Sequence, residues 1–301
     1  MNQRRIFYFW EPEGSMPAYL KLCLRTWQVH LPTYDIVGLN YSNLDQYIRR
    51  GTYDMPTLRR VRLALQKDAV MVAVLRDHGG IFMDVDTLVT RDIAPITGKL
   101  VHTDLVMFGN HMAFLAARPR CYVLTRWVER ISERLERLNQ PTPPTPEWHY
   151  LGNSGLAEVQ NEMIAETFIG KAYEAITSTR ASWPSLANAL WRRLPERIWA
   201  RRRGLFFRTI FRKYLTSLDR RKYGFIAEGR YFGKARGNPK DEYLTFWFED
   251  RQETGRAFLD QQRLIGLHNS WTPEWYKDLS EEQVLEHPCL LSRTIQRVLG
   301  A

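Results

Sequence analysis

A helical run from residue 56 to 78 stops at Gly79-Gly80 and passes without a linker into the apolar strand Ile81-Phe82-Met83-Asp84, followed by Val85 and Asp86. Paired glycines end helices, and a short apolar run bounded by such a stop reads as a buried strand. A helix joined this tightly to a strand must fold back over the sheet to which that strand belongs. This restricts the chain to a layered α/β arrangement. The same alternation precedes it. Ile6 to Phe9 reads as a strand that ends at Trp10-Glu11-Pro12, and residues 16–30 as a helix with Ser15 as N-cap and Pro17 near its start. Residues 34–39 read as a second strand and 42–50 as a polar helix stopped by Gly51. The order predicts a mostly parallel sheet, whose ligands sit beyond the carboxyl ends of its strands.

Further along, residues 105–108 and 112–117 read as strands and 119–138 as a helix, with a stiff proline-rich connector at 139–146. Residues 155–168 and 195–218 carry helical spacing, and 243–248 and 263–267 read as late strands. No internal repeat is present.

Chain length and a hydrophobic fraction of 44% allow a sizeable core and exclude disorder as the main state. The three cysteines, Cys23, Cys121 and Cys289, have neither disulfide-framework nor zinc-site spacing, which suits a reduced, cytosolic compartment. The N-terminal apolar stretch is too short for a signal peptide, and no run approaches a membrane span. The net charge of +10 has one source: residues 192–222 hold twelve Lys or Arg against Glu196 and Asp219, and the rest is balanced. A local anionic partner follows.

Asp84 and Asp86, two apart at a strand end, would face one side if the strand persisted and form an oxygen claw for a hard cation such as Mg²⁺ or Mn²⁺. Such a cation neutralises charge on a departing diphosphate. The bland alternative is a solvated turn.

The segment from Asp68 through Gly79-Gly80 to Asp84-Val-Asp86 resembles the signature of the DxD sugar-binding glycosyltransferases, which include capsular polysaccharide synthesis enzymes and Golgi initiating mannosyltransferases. Ile6 to Trp10, Met16-Pro17, Cys23 to Trp27 and Leu31 to Asp35 are similar to the opening of the capsular branch. The resemblance covers about the first 120 residues. It implies a single GT-A-like α/β domain over 1–301: a nucleotide-sugar-binding core at 1–120, a variable helical acceptor region at about 120–240, and late strands with a metal-closing loop at 241–301. It also implies a nucleotide-sugar donor, a glycan or lipid-linked glycan acceptor, Mn²⁺ or Mg²⁺ as cofactor, and retention at the anomeric carbon.

By the same resemblance Trp10 lies beside the nucleotide base, Asp68 binds the donor's sugar or ribose, and Asn110 lies near the donor sugar. Core packing for Trp10 and a turn role for Asn110 are the alternatives. Where relatives carry Arg three residues after the Asp, this chain has Met71, which cannot donate a hydrogen bond. Gly152-Asn-Ser-Gly155 stands where relatives often have Gly-Pro, and no acceptor-side residue follows from it. The loop Leu267-His268-Asn269-Ser270-Trp271 is similar to those that close over metal and diphosphate, making His268 a candidate third ligand and placing Asn269, Ser270 and Trp271 near the phosphates. A structural histidine is the alternative. No catalytic side chain is identified.

Within residues 191–222, apolar side chains at near-helical spacing among the arginines suggest an interfacial helix on anionic lipid, hence a cytoplasmic protein peripheral on the membrane, against the alternative of a solvated face. Two rivals stand beside the transferase. Asp84-Val-Asp86-Thr87-Leu88 loosely resembles the haloacid-dehalogenase phosphatase motif, although Leu88 departs from it. Residues 192–222 could instead serve a nucleic-acid-binding module, but the chain contains no nucleic-acid motif.

Overall fold

The computed structural model describes residues 4–109, 111–166, 211–226, 238–249 and 259–300. The chain runs β1 (Arg5–Phe9), α1 (Ala18–His30), β2 (Asp35–Leu39), α2 (Met55–Arg60), α3 (Leu63–His78), β3 (Gly80–Met83), β4 (Thr87–Val89), α4 (Ala94–Thr97), β5 (Leu105–Phe108), β6 (His111–Ala117), α5 (Tyr122–Leu138) and α6 (Asn153–Ala165). Then follow β7 (Thr216–Ser217), α7 (Arg220–Tyr223), β8 (Phe225–Ile226), α8 (Pro239–Leu244), β9 (Leu264–Gly266), α9 (Glu274–Lys277), α10 (Glu281–Glu286) and α11 (Leu290–Leu299).

Six strands form the main sheet in the order β2-β1-β3-β6-β5-β7, and β4-β9-β8 form a smaller one. In the main sheet β1 lies parallel to β2 and β3, and β7 parallel to β5, while β6 runs antiparallel to both neighbours. The α/β class and a main sheet whose strand pairs are mostly parallel agree with the sequence pattern; the antiparallel strand is β6, near its middle.

Both faces of the main sheet are covered, and its strands alternate between them as a pleat requires. Phe7, Phe82, Met107 and Leu115 pack on one side with α3 and α5, around Trp127. Ile6, Ile81, Val106 and Phe114 pack on the other with Trp27 of α1. A further core lies between α1, the small sheet and the C-terminal helices, with Tyr19, Trp247 and Tyr276 at its centre. From Ala69 to Leu75 helix α3 is buried all round, as expected for a helix apolar on every side.

The glycine stop has a steric reason beyond ending the helix. A Cβ at Gly79 would lie 2.6 Å from the Pro119 ring, and one at Gly80 2.7 Å from the Arg5 carbonyl oxygen; both residues have positive φ.

Several expectations fail locally. The predicted helix 56–78 breaks at Val61-Arg62, whose backbone is extended. There the Gln66 side-chain amide donates to the Val61 and Arg59 carbonyls at 2.6 and 3.3 Å, taking up the carbonyls left at the end of α2. Residues 42–50 hold only a single 3₁₀ turn at Leu44–Gln46, because the Asn40 side chain accepts from the Ser42 and Asn43 amides and so competes with a helix.

Residues 243–248 are helical rather than extended: Pro239 starts α8, the Asn238 side chain caps the Lys240 amide at 3.1 Å, and a wide π turn at Thr245–Glu249 follows. Of the predicted helix 195–218, residues 195–210 lie outside the described residues. The remainder forms a turn and the short strand β7, with Phe211, Leu215 and Leu218 buried in the protein core. At that end the apolar side chains are committed inward. Most of 191–222 lies outside the described residues; Arg212, Lys213, Arg221 and Lys222 are exposed.

Candidate functional site

Because β1, β2 and β3 are parallel, their carboxyl ends share one edge of the sheet, and Trp10, Asn40 and Asp84 follow them directly. Beyond Met83 the strand does not persist. The Thr87 amide donates to the Asp84 carbonyl at 3.1 Å, so Asp84-Val85-Asp86 is a turn held between the main sheet and β4. The Asp84 amide donates in turn to Ala113 of β6 at 2.9 Å. This turn is not the open, solvated kind: Val85 is buried and both carboxylates are partly buried.

The late loop closes on the second carboxylate through its main chain. The Leu267 amide donates to the Asp86 carbonyl at 2.7 Å, and the Asn269 amide to Asp86 Oδ2 at 3.0 Å. The Tyr19 hydroxyl donates to Asn269 Oδ1 at 2.7 Å, tying the loop to α1. Burial first, and then the charge of Asp84, hold the Asp86 carboxyl well above the usual carboxylate range, against the lowering pull of the Asn269 amide and Lys67.

The His268 ring stacks on Trp271, with centroids 3.9 Å apart, and stands edge-on to Tyr243. Among the described residues no three His, Cys, Asp or Glu side chains gather closely enough to hold a metal, so the structure joins Asn269 to Asp86 but does not bring His268 into a ligand set with the two aspartates. Ser270 is exposed at the loop tip.

Asp68 lies in α3, where Lys67 joins it to the turn. The Lys67 ammonium is 2.9 Å from Asp68 Oδ1 and 3.0 Å from Asp84 Oδ1. Burial works to lower the Lys67 ammonium, and the two aspartates outweigh it and raise it. Asp68 is raised by burial, with Lys67 opposing and Asp84 adding; His111 exerts a further lowering pull. On its other side Asp68 packs on Gly152, at the start of α6, where a Cβ would fall 2.2 Å from Oδ2.

Helix α5 positions that start of α6. The Trp127 indole donates to the Leu151 carbonyl at 3.1 Å, and the Arg134 guanidinium bonds the Tyr150 carbonyl. The Trp10 indole donates to Ser15 Oγ at 3.3 Å, and its ring is half-buried against the third core, so one face packs as the bland alternative has it. Asn110 lies outside the described residues; its neighbour Gly109 donates to Ser217 Oγ at 3.1 Å at the same end of the sheet.

The structure thus brings Asp68, Asp84, Asp86 and Asn269 together, adds Lys67 and His111, which the sequence did not single out, and sets Gly152, for which the sequence offered no role, against Asp68. As to fit, the two partly buried carboxylates Asp84 and Asp86 offer hard oxygen of the kind a divalent cation takes, and a cation held by two side chains completes its shell with other oxygens.

No curated protein matches the chain. A solved structure titled "PaToxG Glycosyltransferase" is similar, with 11% sequence identity, a TM-score of 0.38, and 59% of this chain covering 74% of that one, a likeness too loose to carry an argument. Residues 1–129, the part that supplies Trp10, Lys67, Asp68, Asp84 and Asp86, match the family described as capsular polysaccharide synthesis protein.

Proposed function

We propose that the chain is a metal-dependent glycosyltransferase that moves a sugar from a nucleotide-diphosphate sugar to a growing surface polysaccharide or lipid-linked glycan, with retention. The observation that carries this reading is the Asp84-Val85-Asp86 turn at the carboxyl end of β3, closed by the main chain of Leu267 and Asn269. The family match over residues 1–129 supports it.

Asp84 and Asp86 would hold Mn²⁺ or Mg²⁺, which supplies charge neutralisation for the leaving diphosphate. Trp10 presents its free face to the base, Asp68 meets the sugar or ribose, and Asn110 lies along the donor sugar. Asn269, Ser270 and Trp271 line the phosphates. His268 joins the ligand set when its ring leaves Trp271, and His268→Ala then weakens Mn²⁺-dependent nucleotide binding by about 10- to 100-fold. An unchanged titration would leave His268 a structural stacking partner.

A thermal-shift screen of nucleoside diphosphates and nucleotide-sugars, with and without Mn²⁺, tests the whole reading, since ligands that favour the folded state raise the midpoint. A midpoint raised only by metal and nucleotide-sugar together is expected. Hydrolysis of p-nitrophenyl phosphate without any nucleotide response would favour the phosphatase instead.

Among the described residues no helix is long and apolar enough to cross a membrane. The charge excess at 192–222 supports peripheral attachment to the cytoplasmic face. Arg201, Arg202 and Arg203 changed together to Ser should release the protein from anionic vesicles in a sedimentation assay; equal pelleting of both proteins would remove the proposal.

A further inference from the structure

Lys67 stands where a lysine needs a strong reason to be. Its side chain is 15% exposed, on a helix whose next residues pass through the middle of the protein. A lysine so placed has to find anions, and this one finds two: Asp68 beside it in α3 and Asp84 at the end of β3. Asp68 is the more confined of the two, backed by Gly152. Asp84 ends a strand and carries the side chain that a cation would use. Met71, one helical turn further on, is fully buried in the core and offers no charge, so Lys67 is the cation that this face of α3 delivers to the turn.

We propose that Lys67 is a built-in counter-ion of the Asp84 site: its ammonium occupies Asp84 in the metal-free protein and turns onto a phosphate oxygen when a diphosphate and a divalent cation arrive together. The inference rests on the glycosyltransferase reading above and assigns to Lys67 the order in which that site fills. With the ammonium in place, a metal arriving alone meets a carboxylate already paired, and its binding is weak. A nucleoside diphosphate changes this twice over. It supplies oxygens to the metal, and it offers the ammonium a new anion, since lysine binds phosphate as a point charge and asks little of its geometry. Lys67 would then leave Asp84 for the phosphates without ever being buried unpaired.

The test is Mn²⁺ binding read directly by electron paramagnetic resonance, for Mn²⁺ alone and with UDP or GDP, in wild type, Lys67→Met and Lys67→Arg. Removing a cation in contact with a ligand carboxylate should tighten the binding of Mn²⁺ alone about tenfold in Lys67→Met and remove most of the gain from the diphosphate. Lys67→Arg keeps the charge and should stay weak for metal alone. A structural lysine would not give tighter metal binding when lost, because damage to a fold weakens its sites. Unchanged or weaker binding of Mn²⁺ alone by folded Lys67→Met would overturn the inference. So would wild type that binds Mn²⁺ as tightly alone as with UDP or GDP, an outcome that needs no variant to fold. Wild type that binds no Mn²⁺ under any condition would instead bring down the metal-dependent reading itself.

Discussion

Helices α3 and α5 both carry charged residues against the same core, yet they put them to opposite uses. In α5 the apolar side chains Val123, Leu124, Trp127, Val128 and Ile131 point inward. Arg126, Arg130 and Arg134 meet Glu162 or Glu158 of α6, Arg126 and Arg130 also pair with Glu129 and Glu133, and most of these groups keep contact with water. In α3, Lys67 and Asp68 lie just before the stretch that is buried all round, and Asp84, the second partner of Lys67, comes from a strand end. Pairs of the first kind contribute little to stability and nothing to chemistry. A cluster of the second kind is costly to build, which is why perturbed, buried carboxylates mark functional sites. Helix α6 touches both, with Gly152 against Asp68 and its acidic face on α5.

The sharpest way to break the contrast is Asp86→Asn. The amide keeps an oxygen for the Asn269 N–H and keeps the shape, so the fold should survive while Mn²⁺-dependent stabilisation by nucleotide-sugar disappears. Asp84→Asn should do the same. Full transfer activity in either variant would make the α3 cluster no more functional than the α5 ladder.

A smaller effect is expected at the point where the two regions meet. In Gly152→Ala the new Cβ falls 2.2 Å from Asp68 Oδ2 and 3.0 Å from its Cγ. The carboxylate is held by Lys67 and cannot simply turn away, so α6 or Asp68 must move. Overpacking of this kind costs about 1–3 kcal/mol. The urea midpoint should fall, and donor affinity should fall with it. Lowered stability with unchanged donor binding would separate Asp68 from the donor site.

What could be read in the sequence was what local patterning decides. Gly79-Gly80, the continuous apolar runs of β1, β3, β5 and β6, and the Asp84/Asp86 pair are each visible within a few residues. Elsewhere the deciding contact is distant or ambiguous. Strand β4 has only three residues and pairs with β9 across most of the chain. The aromatic run at 243–248 suits a strand or a helix equally, and the Asn238-Pro239 cap decides for the helix. Lys67 reads as an ordinary helical charge until β3 brings Asp84 within 3.0 Å. Residues 191–210 lie outside the described residues, and at 211–218 near-helical spacing arose from side chains that reach two different cores rather than one helix face.

The smallest predicted effect lies on the α5 side. Arg130 Nε is 2.9 Å from Glu162 Oε1, and its Nη1 is 2.5 Å from Glu133 Oε2. The two glutamates keep 32% and 41% of their side-chain exposure. Water and salt therefore screen both pairs, and the side-chain entropy given up to form them offsets much of the attraction. Arg130→Ala should cost about 1 kcal/mol or less, and less still at high salt. Each glutamate is left in water rather than stranded, so no larger penalty arises from the partners. The turn that Arg134 and Trp127 hold is untouched, so Gly152 should stay against Asp68, and the Mn²⁺ and nucleotide response should match wild type. Urea unfolding at low and high salt, with the same thermal-shift series, measures both quantities. A loss of donor response in Arg130→Ala would mean that the ladder positions α6 for the site, and the division between a structural α5 and a functional α3 would have to be redrawn.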